Sequence, residues 1–451
     1  MNGAVDLPLD LGELRIAASG GSLVRRSVLP SGVRILSEHV PGSQSATVGF
    51  WVAVGSRDEQ PATYGSTHFL EHLLFKGTPT RTALDIAVSF DEVGGEHNAM
   101  TAKEYTCYYA KVRDIDLPMA VTVLADMFTS SVLDSDEFES ERGVILEELA
   151  MADDDPSDVV SERFFEAVFG AHPLGRPIGG SPESIGAVGR DAVLAHYRAN
   201  YRPQDLVVTV AGAVEHDELV AGITAALETA GWNLGTAGTP VERRHAGSAL
   251  VERGSARTIV NRPTEQANLL LGVQGLAASD DRRPVLTILN SVLGGGMSSR
   301  LFQEVREKRG LAYSVYSFAA GFSDAGLMGL YAGCSPKRAA DVAELMLGEF
   351  RRLAVDGITD EELGRARGQL GGGAALALED SDARMSRLGR SELTFGEFSD
   401  LDETLRRLAA VTTTEVQELA AELVARPFSV AAVGLLDDST FDGLEDEPAA
   451  A

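Results

Sequence analysis

A chain of 451 residues with 44% hydrophobic content carries enough apolar material for at least two packed domains. Its formal net charge of −28 argues against nucleic acid, which is bound through basic patches, and against an anionic membrane surface. Two cysteines, Cys107 and Cys334, are too few for a disulfide framework or a cysteine-ligated metal site, and they fit a reducing compartment.

The N-terminal segment 1–22 is acidic and lacks a basic stretch followed by an apolar core. It predicts neither a secretory signal nor a transit peptide. No apolar run approaches the roughly 18 residues of a membrane span, so the expected location is the cytoplasm. Strand signals follow at residues 32–38 and 46–54, with a further one at 105–112.

Between them lies His68-Phe69-Leu70-Glu71-His72, a zinc-hydrolase pattern in the inverted order His-x-x-Glu-His. On a helix, His68 and His72 share a face and can hold one metal. Glu71 falls at the edge of that face, where it can take a proton from water beside the metal. With 8 histidines and 67 acidic residues in the chain, such a triplet arises by chance only about 0.02 times. A metal is therefore favoured over two satisfied core histidines, because burying these groups without one is costly. Ser66 or Thr67 is expected to cap the helix. Leu70, Leu73, Leu74 and Phe75 supply its apolar stripe, and Gly77-Thr78-Pro79 stops it.

A catalytic zinc usually takes three protein ligands and a water, so the two histidines need a partner. The predicted helix 136–151 offers one. Turned at about 100° per residue from Glu141, its apolar residues Val144, Ile145, Phe138, Leu149 and Leu146 span an arc from about −60° to about 140°. Glu148 falls inside that arc, near −20°, and Glu147 outside it, near −120°. Two inward acids on a core-facing stripe are unusual. Glu148 becomes a candidate ligand, and Glu141 a candidate to orient a histidine. Geometry alone leaves that choice open.

Tyr201-Arg202-Pro203 precedes an apolar run at 206–214, and Arg426-Pro427 precedes another at 428–436. Each follows a helical stretch, at 189–198 and 413–425. This common ending suggests an internal duplication. Residues 231–257, rich in Gly, Thr, Arg and Glu, read as a linker. It would join a domain at 23–230 to a homologous one at 258–436, with strand signals at 267–273, 312–318 and 327–332. The acidic tail 437–451 is expected to have no fold. Strands and helices mixed without strict alternation predict an α+β class, with mainly antiparallel sheets packed with helices.

The run His68-Phe69-Leu70-Glu71-His72-Leu73-Leu74-Phe75-Lys76-Gly77-Thr78, followed by Glu141-Arg142-Gly143-Val144-Ile145-Leu146-Glu147-Glu148, closely resembles the pitrilysin-type metallopeptidases. The likeness is strongest to the short-chain branch that includes the β subunit of mitochondrial processing peptidase and its bacterial relatives. It covers roughly residues 25–435. The 76-residue separation of His72 and Glu148 matches the family's ligand spacing. The resemblance implies two homologous α/β-roll domains and one Zn2+ per chain on His68, His72 and Glu148. Glu71 would be the general base and Glu141 a supporting acid.

Residues 94–109 are similar to the family's edge strand near the zinc, where a peptide adds as an extra strand. Asn98 and Ala99 take the substrate-contacting positions. For His97 and Cys107, ordinary packing is the simpler explanation. Residues 293–315 resemble the family's second-half segment, in which Arg306 and Tyr313 match the Arg/Tyr pair that engages the substrate and stabilises the reacting carbonyl. The triple glycine Gly294-Gly295-Gly296 is a weak phosphate-loop signal, because no Lys-Ser/Thr follows.

The resemblance thus implies a bacterial zinc metalloendopeptidase acting on unfolded peptides. It also implies a dimeric chamber, homodimeric or formed with a related subunit, in which Arg306 and Tyr313 serve the partner's site. The alternative is a non-catalytic partner subunit. Such relatives typically lose the zinc ligands, and all of them are retained here.

Overall fold

The structure, a computed structural model, describes residues 3–244, 247 and 250–444. Its strands in chain order are β1 Val5–Asp6, β2 Glu13–Ala17, β3 Leu23–Val28, β4 Arg34–His39, β5 Ser45–Val52, β6 Glu96–Thr101, β7 Thr106–Arg113, β8 Leu206–Gly212, β9 Arg257–Asn261, β10 Ala267–Gln274, β11 Ala312–Gly321, β12 Gly326–Cys334, β13 Glu397–Phe398 and β14 Ser429–Gly434. Every strand signal read from an apolar run is a strand. Helices Ser135–Asp154, Arg190–Asn200 and Thr413–Val424 also stand where the sequence predicts them.

The fold is α+β, and the duplication is visible in its sheets. A seven-stranded sheet runs β2-β3-β4-β8-β5-β7-β6, and a five-stranded sheet runs β11-β12-β10-β14-β9. Within the first, β4 and β8 are parallel and the remaining pairs antiparallel. Within the second, β9 and β14 are parallel and the rest antiparallel. The series β4-β8-β5-β7-β6 thus repeats as β9-β14-β10-β12-β11. Strands β8 and β14 are buried along their whole length. Both their faces are covered, which is why they read as unbroken apolar runs rather than alternating ones.

The compact units are not contiguous in sequence, in contrast to the expected boundaries 23–230 and 258–436. One unit comprises residues 1–149, 177–243 and 374–403, and the other 150–176, 244–373 and 404–451. The physical reason is that each sheet takes a covering helix from the opposite half of the chain. In the first unit, helix Ser381–Arg390 packs Met385 and Leu388 against Trp51 and Val207. The Trp51 Nε1–H donates to Thr209 Oγ1 at 2.8 Å, and the Thr209 hydroxyl donates to the Met385 carbonyl at 3.2 Å. Glu392, fully buried, meets Arg26 at 3.0 Å, Arg34 at 3.4 Å and Arg243 at 3.2 Å. Removing one partner of such a buried charge group costs about 3–5 kcal/mol, which ties this segment to the first unit. In the second unit, helix Pro156–Phe169 places Val160, Phe164 and Val168 against Leu270, Ala431 and Val433.

Two further expectations are corrected. The N-terminal segment is part of the first unit, since β2 pairs with β3 and Val5 with Phe398. Of the tail, Phe441 is buried in the second unit's core, an apolar anchor inside an acidic stretch. Residues 445–451 lie outside the described residues. Cys107 and Cys334 are both buried and free, and burial raises both thiols. Among the described residues no single helix is long and apolar enough to cross a membrane.

Candidate metal centre

Helix Ser66–Leu73 carries the motif. Phe69, Leu70 and Leu73 are buried in the first unit's core, which leaves His68, Glu71 and His72 on the half-exposed face. The helix does not begin as expected. Ser66 and Thr67 lie inside it, and Gly65 precedes it at φ 90°. A Cβ at Gly65 would collide with Ile185. The orphan N–H groups go instead to buried Glu59, whose carboxylate accepts from Gly65 N at 2.8 Å and Thr67 N at 2.7 Å. The C-terminal end is as predicted: a short turn at Leu74–Lys76, then Gly77 at φ 124°.

The candidate third ligand, Glu148, comes from helix Ser135–Asp154. His68 Nε2 and His72 Nε2 are 3.3 Å apart, and Glu148 Oε2 lies 3.6 Å from the first and 3.4 Å from the second. Bonds of about 2.0–2.2 Å at tetrahedral angles put ligand atoms about 3.3–3.6 Å apart, so the triangle has the size that zinc requires. Among the described residues these three form the one group able to hold a metal ion. Burial and the neighbouring His72 lower the His68 pKa, favouring the neutral imidazole that ligates.

Glu141 stands behind the ligands. His72 Nδ1–H donates to Glu141 Oε2 at 3.0 Å, which leaves Nε2 as the lone-pair nitrogen. Lys76 Nζ lies 2.6 Å from Glu141 Oε1. Glu141 is buried at 3% exposure, whereas the Glu148 side chain is 45% exposed. Glu148 therefore borders the apolar arc rather than lying within it, and Val144, counted in that arc, is also exposed. Both sit on the open side because the buried stripe narrows to Phe138, Glu141 and Ile145. Glu147 is exposed, as predicted.

Glu71 stands near the paired hydroxyls of Tyr108 and Tyr201, 3.1 Å apart. Burial raises both tyrosine pKa values, and the Glu71 charge adds to each. Strand β6 is the outer strand of its sheet, with Asn98 opposite Tyr109 and Ala99 opposite Tyr108. Asn98 is exposed and its Oδ1 accepts from Ala99 N at 2.8 Å. His97 stacks on Phe90 at 4.3 Å, in line with ordinary packing.

Arg306 and Tyr313 lie in the second unit. The Arg306 guanidinium sits 4.4 Å from the Tyr313 ring centre and donates to the Tyr313 carbonyl at 2.8 Å. Tyr313 is left 76% exposed. Sequence reasoning gave no role to Glu59 or Lys76. Lys76 follows His72 by four residues, the spacing of two side chains on one helix face, and that spacing was its available signal. Glu59 had none.

Two histidines and a carboxylate on two helices of an α/β roll, with a carboxylate inside the motif, define a candidate zinc centre of the inverted type. Comparison with known proteins agrees. A family described as "Insulinase (Peptidase family M16)" matches residues 34–181, and "Peptidase M16 inactive domain" matches 187–370. A Streptomyces coelicolor protein named an uncharacterized zinc protease is 49% identical over 95% of this chain and 93% of its own. A Bacillus subtilis protein of the same designation is 38% identical over 91% and 98%. The chain belongs to peptidase family M16, the insulinase or pitrilysin-type peptidases. Solved structures share the fold. A Pseudomonas fluorescens peptidase M16 inactive domain superposes with TM-score 0.82 at 19% identity, over 91% of this chain and 98% of that one. A Helicobacter pylori protease gives 0.81 at 22% identity, over 91% and 99%.

Proposed function

We propose that this chain is a zinc-dependent endopeptidase that hydrolyses unfolded peptides, with Glu71 as general base. The supporting observation is the triangle of His68, His72 and Glu148, sized for zinc, with Glu71 on the same helix. Zinc there would polarise a carbonyl and lower the pKa of a bound water. Glu71 is placed to take a proton from the water whose oxygen adds to the scissile carbonyl, and to return it to the amine nitrogen as the C–N bond breaks. Strand β6 offers its backbone to an extended peptide at Asn98 and Ala99, which reads main chain rather than side chains. The Tyr313 hydroxyl donates to the developing oxyanion, and Arg306 holds the tyrosine ring and the substrate.

The enzyme works as a dimer enclosing a chamber, with Arg306 and Tyr313 of one subunit completing the zinc site of the other. A homodimer is the simplest arrangement, and a related subunit can take the partner's place. The protein acts in the bacterial cytoplasm. A non-catalytic role is disfavoured by the retained ligand set. Purified protein should contain one zinc per chain and cleave an unstructured peptide. A chelator should abolish cleavage and added zinc restore it. Bound zinc without cleavage of any peptide in a broad library would overturn the assignment.

A further inference from the structure

We propose that Lys76 is a positioning residue of the metal centre, one that holds Glu141 so that Glu141 can hold His72. The inference rests on the zinc peptidase function above. Lys76 closes the turn after the motif helix, and its ammonium lies 2.6 Å from Glu141 Oε1. The other oxygen of the same carboxylate lies 3.0 Å from His72 Nδ1. Each oxygen therefore has its own partner, and the carboxylate plane is fixed by both.

Burial makes that bridge necessary. Glu141 is 3% exposed, so water does not compensate for a lost contact. A buried carboxylate needs a counter-charge as well as hydrogen bonds. Its two ion-pair partners among the described residues are the Lys76 ammonium and the His72 imidazole, and the imidazole must be neutral to serve as a metal ligand. Lys76 is itself 31% exposed at its side chain, so its own desolvation is modest. Without it, one Glu141 oxygen is left bare in the core, and the carboxylate turns to share itself with other donors. His72 then loses the fixed ring orientation that aims Nε2 at the His68 and Glu148 ligand atoms. Residues that orient a metal-bound histidine typically contribute about 10–100-fold in metal affinity.

The test compares wild type with Lys76→Met, Lys76→Gln and Lys76→Arg in full-length protein. Zinc affinity is measured by competition with a chromophoric chelator, and apo-protein thermal unfolding serves as the folding control. The two neutral variants should bind zinc about tenfold to a hundredfold more weakly. Lys76→Arg, which restores the charge, should recover most of the loss. At saturating zinc the KM for a peptide should stay unchanged. If Lys76→Met does not fold, Lys76→Gln decides the question. Wild-type affinity in the folded neutral variants would overturn the role of Lys76 alone. Failure of the wild-type protein to bind zinc would instead remove the function on which it rests.

Discussion

Glu141 and Glu148 stand seven residues apart on one helix and address the same imidazole from its two nitrogens. Glu141 Oε2 lies 3.0 Å from His72 Nδ1, and Glu148 Oε2 lies 3.4 Å from His72 Nε2. One carboxylate is buried and the other half exposed, so one orients the ring while the other remains able to bind an ion.

That division predicts different outcomes for neighbouring acids. Glu148→Gln should weaken zinc binding by more than about 100-fold, the upper end of what losing an orienting group costs. Glu147→Gln should leave zinc content and turnover as in wild type, because Glu147 points to solvent. Metal analysis after dialysis distinguishes the two, and a zinc-depleted Glu147→Gln would reverse the assignment.

Glu71→Gln should retain a full complement of zinc while turnover falls by at least about 10²–10⁴-fold, the contribution of a positioned general base. Metal content and kcat must be measured on the same preparation. Near-normal turnover with zinc present would sink Glu71 as the base.

Mixing Glu71→Gln protein with Tyr313→Phe protein tests whether sites are shared between subunits. Each variant alone should be nearly inactive. The mixture should regain activity well above the sum of the two, as heterodimers with one intact site form. No recovery after subunit exchange would mean that each chain completes its own site.

His216 should make stability depend on pH. It is buried, with Ser27 Oγ at 2.9 Å and Ser37 Oγ at 2.8 Å from its ring nitrogens. Burial, and then the charge of Arg25, lower its pKa to about 4. The unfolded chain binds this proton more readily, so His216 contributes stability that is fully present above pH 6.5. That contribution falls away as pH drops from about 6.5 through about 4, by up to about 3 kcal/mol. Urea unfolding of His216→Gln should show a flatter profile across that window, and an unchanged slope would count against it.

How much was legible follows from how local each signal was. The apolar runs of β8 and β14 announce themselves because both faces are buried. The candidate third ligand was half readable, because Glu141 has to be buried for the helix to dock and Glu148 follows two turns later. Strands β2 and β3 were missed, since Glu-Leu-Arg-Ile-Ala and Leu-Val-Arg-Arg-Ser-Val carry charges. Arg26 is tolerated inside because the Pro8 and Leu11 carbonyls accept from it and Glu392 supplies its counter-charge from 366 residues away. Nothing near Arg26 reveals that partner. Strand β6, mostly polar and buried only at Ala99, was recognisable only by likeness to a family. The Glu59 cap hides in a loop whose role appears only once Gly65 and Thr67 are in place.

The exchanged helices also set a clock on the newly made chain. All three candidate ligand residues have been synthesised by Glu148, yet the first unit takes its last segment from residues 374–403. At roughly 5–20 residues per second, the ribosome needs on the order of ten to fifty seconds to cover that interval. Throughout it, the sheet behind the motif helix lacks the cover of Met385 and Leu388 and the buried charge of Glu392. The centre is therefore expected to mature only near the end of translation, so under the proposed function a nascent chain would remain inert while its own unfolded segments are still within reach.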